Sequence, residues 1–555
     1  MMHMMSEEKH QKRIYSLGSK RELFVDDFFI DRLEGAVSKR LHEPIPDNLI
    51  LTLDEPHERT NNAGGSYNSL LYDGKRYIYY YRAHGRFATP DEPGNDNFYL
   101  CAAESVDGVH FRRSQVNLLP TGYNVVLDRS NTRELNHTNP ERNTCPAVST
   151  AFYDVNPACP EHERYKMIVT NERSKSGIYL YVSADGFDFR LKTGPFKLDP
   201  HTGYDSANQM FYDTAAGVYR LYTRSFRMAG PTWKRTIMHH TTRDFIHFEQ
   251  ASLLQFDSEF DALFAQGQEL YTNAIRPYYR APHILLGFPM RYVEGCMARG
   301  KHTSSACEQP FLRFVTGNPD AVPTNCEDEW NARVFSRPDL AARAFRARNQ
   351  LRYGLASTDT VLIASRDGQH FKGWADSFIR PPAEDDSWAY GSGSTGIGIA
   401  VTPSARAHGA PDELSFYCPE GNWGFNIARI RRYHLRIDGF VSLHFSAAGG
   451  ILLTPKFTFS GGRLSLNMST GAWGGFKAEF RDEAGNPIPG YTFDDAYEEI
   501  GDDLEMIARW KSAGPDVRSL EGKTVQLAIA GFNCDLYSIC FVPWSPDPEL
   551  PDISK

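Results

Sequence analysis

Three carboxylates sit at the ends of aromatic, β-prone runs. Asp205 precedes Gln209-Met-Phe-Tyr212, Glu269 opens Glu269-Leu-Tyr-Thr-Asn273, and Glu420 closes Phe416-Tyr-Cys-Pro-Glu420. Two carboxyl groups facing one another can cleave a glycosidic bond, one protonating the leaving oxygen and the other serving as nucleophile or base. Asp205 is the first choice for the ionised partner. Arg224 and Arg227 follow the next β-prone run, Val218–Tyr222, and antiparallel pairing would bring them beside Asp205. A neighbouring guanidinium lowers a carboxylate's pKa. Glu420 is the candidate acid, with Glu269 as a third catalytic candidate. Each has a plainer reading, as a turn cap or as the exposed start of a strand.

The elements that must position these groups are hairpins, and they recur. Tyr67–Arg82 turns at Tyr72-Asp-Gly-Lys75, Pro146–Thr170 turns around 154–164, and Asp205–Arg224 turns at Asp213–Gly217. Glu269–Arg291 turns at Tyr279–Pro282, and Trp388–Glu420 turns around 404–412. After the hairpins comes a second phrase: Ser105-Val-Asp107-Gly108, Ser183-Ala-Asp185-Gly186, Thr241-Thr-Arg-Asp244-Phe245 and Ser365-Arg-Asp367-Gly368, with a degenerate copy at Ile437-Asp438-Gly439-Phe440. Asp-Gly is a tight-turn pair, so these aspartates are turn formers. Five hairpins, each continued by two further strands, predict an all-β chain built as a five-bladed β-propeller. The segment Arg21–Asp31 is expected to pack against the ring or help close it. After 445 the texture changes to strands that alternate apolar and polar residues, which predicts a C-terminal β-sandwich. The expected domains are a tail at 1–20, the propeller at 21–445, the sandwich at 446–545 and a Pro-rich tail at 546–555.

In such a propeller the starts of the first strands and the ends of the second share one mouth. The first blade brings Tyr67, Asn68, Arg82 and His84 there, and the second brings Asn143 and Glu172. Arg224 comes from the third blade. The fourth gives Tyr271, Asn273 and Arg291, and the fifth gives Trp388 and Tyr390. Aromatic faces stack on the C–H face of a sugar, while amides, guanidiniums and carboxylates bind its hydroxyls.

Composition removes other classes. The net charge of −9 over 555 residues gives no basic footprint for nucleic acid, and 28 Tyr and 35 Phe suit a strand-rich globular protein. No apolar run approaches the ~18 residues of a membrane span, and Met1–Arg13 is polar without a signal-like apolar stretch. Nine scattered cysteines without a CxxC pair predict neither disulfides nor a zinc site and fit a reducing cytoplasm. Cys145 and Cys418 read as packing residues. The histidines lack metal-ligand spacing, so neither metal nor cofactor is expected from the residues. The partner expected is a small carbohydrate, and the sandwich offers a face for self-association.

Asp205 before an aromatic hairpin, the repeated Ser-x-Asp-Gly phrase and the terminal sandwich together resemble the five-bladed-propeller glycoside hydrolases, the clan of invertase, levanase and arabinanase. The phrases Glu269-Leu-Tyr-Thr-Asn-Ala274, Arg280-Ala-Pro-His-Ile-Leu-Leu-Gly-Phe-Pro-Met-Arg291 and Leu435-Arg-Ile-Asp-Gly-Phe-Val441 are similar to a bacterial group of invertase-like proteins. The resemblance implies hydrolysis or transfer of a small furanoside, such as a fructosyl or arabinosyl sugar, and allows a calcium ion in the channel. It has departures. The Asn-Asp-Pro-Asn, Arg-Asp-Pro and Glu-Cys signatures are absent, and Ser66-Tyr67-Asn68 stands where the nucleophilic Asp would be. A glycoside phosphorylase, which needs one protein acid and an Arg-rich phosphate site, and a non-catalytic sugar-binding propeller are the alternatives.

Overall fold

The computed structural model describes residues 14–58, 67–85, 97–128, 130–136, 148–170, 177–196, 198, 204, 206–229, 232–249, 251–293, 357–381, 391–404, 409–421 and 428–546. These residues form two compact units. One comprises 43–278 and 282–435, and the other comprises the residues up to 42, 279–281 and those from 436 onward.

The larger unit is the five-bladed propeller. Blade I is Ser69–Tyr72, Tyr77–Gly85, Asn97–Ser105 and Arg112–Arg113. Blade II is Val148–Tyr153, Tyr165–Thr170, Ile178–Ser183 and Arg190–Phe196. Blade III is Gln209–Asp213, Val218–Ala229, Thr232–Thr242 and Ser252–Leu253. Blade IV has an inner strand in two pieces (Gln268–Leu270, Arg276–Tyr278), followed by Ala281–Gly287 with Met290–Val293, then Ser357–Thr360 with Ile363–Ser365, then His370–Gly373. Blade V is Ala400–Thr402, Glu413–Glu420 and Arg429–Arg436, and its fourth strand is Ile45–Thr52 from the other end of the chain. The ring is therefore closed by 45–52. Arg21–Asp31 does not close it: Glu22–Leu23 pairs within the smaller unit.

Strands such as Val148–Tyr153, Tyr165–Thr170 and Glu413–Glu420 are buried on both faces, which is why they read as continuous apolar runs instead of alternating. In Tyr77–Ala83 the odd positions enter a core with Ile50, Ala400, Tyr417 and Ile430 of blade V. Ile78 and Tyr80 enter a core with Ala151, Tyr165 and Met167 of blade II.

The Ser-x-Asp-Gly phrases are the joints between blades. In each, the Ser or Thr hydroxyl accepts from the amide three residues on, and the Asp carboxylate accepts from two further amides. The glycine takes a positive φ of 72°, 85° or 83° at Gly108, Gly186 and Gly368; Phe245 holds the same place at 61°. That conformation turns the glycine carbonyl toward a tyrosine of the preceding blade. Tyr417 donates to Gly108 at 2.6 Å, Tyr80 to Gly186 at 2.7 Å and Tyr222 to Gly368 at 2.9 Å. The first of these bonds joins blade V to blade I. The expected fifth copy differs. There the positive φ falls on Asp438 itself (62°), and its buried carboxylate accepts from Ser538, Asn467 and Arg280 inside the smaller unit.

The smaller unit is the β-sandwich. Its sheet runs Arg32–Leu41, Val441–Leu453, Gln526–Val542, Arg463–Arg481 and Asp502–Ile507. The three central strands are all irregular at one level, near Phe445/Gly450 and Thr470/Gly475, and bend there. Phe480 pairs with Leu527 and Leu464 with Phe541. On a straight strand Leu527 and Phe541 would stand roughly 46 Å apart. Yet the rings of Phe480 and Phe541 are 6.3 Å apart, so the sheet folds back and packs on itself as two layers. Residues 21–42 and 436–445, expected in the propeller, belong to this unit.

Candidate active site

The first strand of each blade is an edge strand, so its outward N–H and C=O groups need partners at the propeller axis. Neighbouring blades supply them. Leu70 N–H donates to Ile397 O at 2.7 Å, Ala151 N–H to Ser69 Oγ at 2.9 Å, Thr150 Oγ1 to Asn208 O, and Asn273 Nδ2 to Ala207 O at 3.0 Å. Thr358 and Thr360 donate to Ser392 O and Gly393 O at 2.7 and 2.9 Å. Beside this belt lies a narrow pocket walled by Tyr67, Asn68 and Arg82 of blade I, Ala207 before blade III, Thr272, Ala274 and Met290 of blade IV, and Ser394–Ile397 and Pro419 of blade V.

Seven side chains from three blades form one continuous array beside it. The Arg82 guanidinium lies 4.6 Å from the Tyr67 ring centre, and Tyr67 Oη donates to Tyr271 Oη at 3.2 Å. Arg224 and Arg235 stand 5.6 and 5.3 Å from the Tyr271 ring. Arg235 also stacks 5.2 Å from Tyr292 and donates from Nη1 to Glu269 Oε2 at 2.5 Å. The Arg235 backbone N–H donates to the same oxygen at 3.2 Å, so Glu269, only 3 % exposed, is fixed by two bonds from one residue. Tyr67 adopts φ of 52°, a strained conformation for a tyrosine, just where its ring meets Arg82. Asn68 packs so closely on Gly396 that a Cβ there would fall 1.4 Å from its Oδ1.

The sequence-predicted residues divide into four groups. Tyr67, Asn68, Arg82, Arg224, Tyr271 and Glu269 are brought together here. Glu420 is buried at the end of its strand, next to Pro419, and gives both oxygens to arginines: Arg431 Nε at 2.6 Å and Arg429 Nε at 3.3 Å. Asn273 and Arg291 are used elsewhere. Asn273 braces blade IV against Ala207 O and Tyr222 O of blade III. Arg291 is held by Asp359, Ala375 O and Ser377, and lines a separate cleft with Leu263 and Arg380. Arg224 lies inside a strand that continues to Ala229, not past its end, and Arg227 binds Asp261 through both oxygens. Asp205, Asn143, Glu172, Trp388, Tyr390 and the His84 side chain lie outside the described residues.

Sequence reasoning passed over Arg235, although the third strand of blade III begins at the mouth where the second ends. Among the described residues one group could gather metal-binding atoms: His57, Glu58 and Cys101. It does not fit a metal. Glu58 is spent on Arg113, Tyr81 and Asn124, His57 bonds Asn124, and burial pushes the Cys101 thiol well up. Burial also pushes up the thiol of Cys418, which is buried in the second strand of blade V.

No protein-family model and no curated protein matches the chain. Solved structures similar to it include one described as a glycoside hydrolase, with a TM-score of 0.40 and 11 % identity over 71 % of this chain and 92 % of the other. A second belongs to the GH130 family of mannoside phosphorylases, which contains glycoside hydrolases (TM-score 0.39, 11 % identity, covering 72 % and 94 %). A third is a fructofuranosidase from Schwanniomyces occidentalis complexed with fructosylnystose (TM-score 0.35, 9 % identity, covering 95 % and 99 %).

Proposed function

We propose that this protein is a glycosidase or transglycosidase that acts on a small furanoside, such as a fructosyl or arabinosyl oligosaccharide, in the axial cavity of its propeller. One observation carries the reading: the array Arg82, Tyr67, Tyr271, Arg235 and Glu269, in which Arg82 and Tyr67 line the pocket and are linked through Tyr271 and Arg235 to a buried carboxylate. The rings offer stacking faces and the arginines offer paired donors for vicinal hydroxyls. Glu269, held beside Tyr271 by Arg235, is the first carboxylate of this reading, and Asp205, two sequence positions before the pocket residue Ala207, is its proposed partner. Glu420 positions Arg429 and Arg431 in this account and is the third carboxylate to test.

Phosphorolysis is the second reading. It is favoured by the arginines Arg82, Arg224 and Arg235 at one site, since guanidiniums match phosphate geometry. The deciding experiment is sugar release from a panel of fructosides, arabinofuranosides and galactofuranosides, with and without inorganic phosphate. Turnover without phosphate is expected. Turnover only with phosphate would transfer the assignment to a phosphorylase, and binding of the sugars without turnover would leave a recognition module.

A further inference from the structure

Arg276 crosses the propeller axis. It stands on the inner strand of blade IV, yet its Nη2 donates at 2.8 Å to Ala151 O on the inner strand of blade II, with blade III between them in the ring. The bond therefore links the inner edges of two blades that are not neighbours. The same layer holds Ser69, which accepts from Ala151 N–H, and Ile397, bridged to Ser69. It also holds Gln209, one residue beyond the bond between Thr150 and Asn208.

Two features of this layer call for a ligand. Among the described residues, Arg276 Nε is buried without an acceptor and no carboxylate pairs with the guanidinium. Gln209 is 1 % exposed, and neither its Nε2 nor its Oε1 has a hydrogen-bond partner among the described residues. A buried cation without a counter-charge is strongly unfavourable. A single backbone carbonyl uses one of its five N–H donors and none of its charge. Arg276 is half-buried as a residue, with its Nε enclosed by protein. Burial alone, with no opposing charge, draws its pKa down to about 10.

We propose that the axial channel at Arg276 is a binding site for a halide-sized inorganic anion, which completes the charge balance between blades II and IV. A calcium ion, which resemblance to propeller glycosidases allows in the channel, does not fit this layer. Its fixed charge is positive, and among its described side chains there is no carboxylate.

The test is thermal unfolding of the full chain at constant ionic strength, with sodium isethionate replaced stepwise by chloride, bromide or phosphate. The expected result is a saturable rise in Tm of about 2 °C with chloride and bromide, absent in Arg276→Met and reduced in Arg276→Lys. Crystals of the wild type soaked in sodium bromide should show an anomalous peak within hydrogen-bonding reach of Arg276; this reading does not depend on the variants folding. No anion dependence in the wild type, equal dependence in Arg276→Met, or no peak at Arg276 would overturn the proposal. A response to phosphate alone would overturn the halide assignment.

Discussion

At the scale of single residues, the site turns on how few polar groups fix Glu269. Arg235 holds it through both a side-chain and a backbone donor while lying between Tyr271 and Tyr292. Replacing Arg235 by Gln leaves a buried carboxylate short of its counter-ion and should destabilise the fold by about 3 kcal/mol, read by chemical denaturation. His239 gives a pH test. It is 8 % exposed, stacked on Tyr222 at 5.0 Å and bonded to Arg220. Burial, reinforced by the Arg220 charge, lowers its pKa to about 4. An unfolded histidine takes up its proton near 6.5. The contribution of His239 to stability is therefore complete above pH 6.5, declines as pH falls toward 4, and is level below that. The decline amounts to about 3 kcal/mol. Unfolding midpoints measured from pH 7 to 4 should fall more steeply for the wild type than for His239→Gln; parallel curves would exclude the effect. Glu269 and Tyr271 were legible in the sequence because they stand in the first run of an aromatic hairpin. Arg276 was not, because nothing local shows that an arginine at the start of a strand reaches a carbonyl two blades away.

At the scale of elements, the repeated turn does two jobs, and the sequence showed only one. Ser-x-Asp-Gly reads as a turn, and the four hydrogen-bond patterns agree residue for residue. The second job is to seat each glycine against the preceding blade, where Tyr417, Tyr80 or Tyr222 binds its carbonyl. That partner lies as far as 309 positions away, so it was invisible locally. Gly108 tests the joint. It has φ of 72°, and a Cβ would meet Thr402 Cγ2 at 2.8 Å and Tyr417 Oη at 3.2 Å. Gly108→Ala should lower stability by about 2 kcal/mol, whereas Gly74→Ala, with open space around it at φ of 90°, should show only the smaller backbone penalty. Equal losses at both sites would mean the joint contributes nothing. The degenerate Asp438 phrase shows the limit of reading repeats by eye. Its Asp-Gly pair survives, but the backbone turns one residue earlier and the carboxylate serves a buried cluster instead.

At the scale of the molecule, a ring of blades must be fastened where chain ends meet. Here the fastening is Ile45–Thr52 on Arg429–Arg436. Arg432, fully buried, donates to Asp47, Asn48, Thr402 and Ser415 across that seam. Asp47→Ala would leave this guanidinium without its main counter-ion, at a cost of about 3 kcal/mol, measurable as a lowered denaturation midpoint. The five hairpins were readable in order, so the propeller was too. Its closing strand was not, because Ile45–Thr52 carries no phrase of the repeat. Closure matters for function because the proposed site is assembled from blades I, III and IV, and no blade holds it alone. The most direct test of that site is the rate of sugar release by Glu269→Gln, compared with wild type and with Asp359→Asn, which alters the separate Arg291 cleft. The account predicts a loss of about 100-fold or more in kcat for Glu269→Gln, with Asp359→Asn near wild type below its Tm. Wild-type turnover retained by folded Glu269→Gln would contradict it.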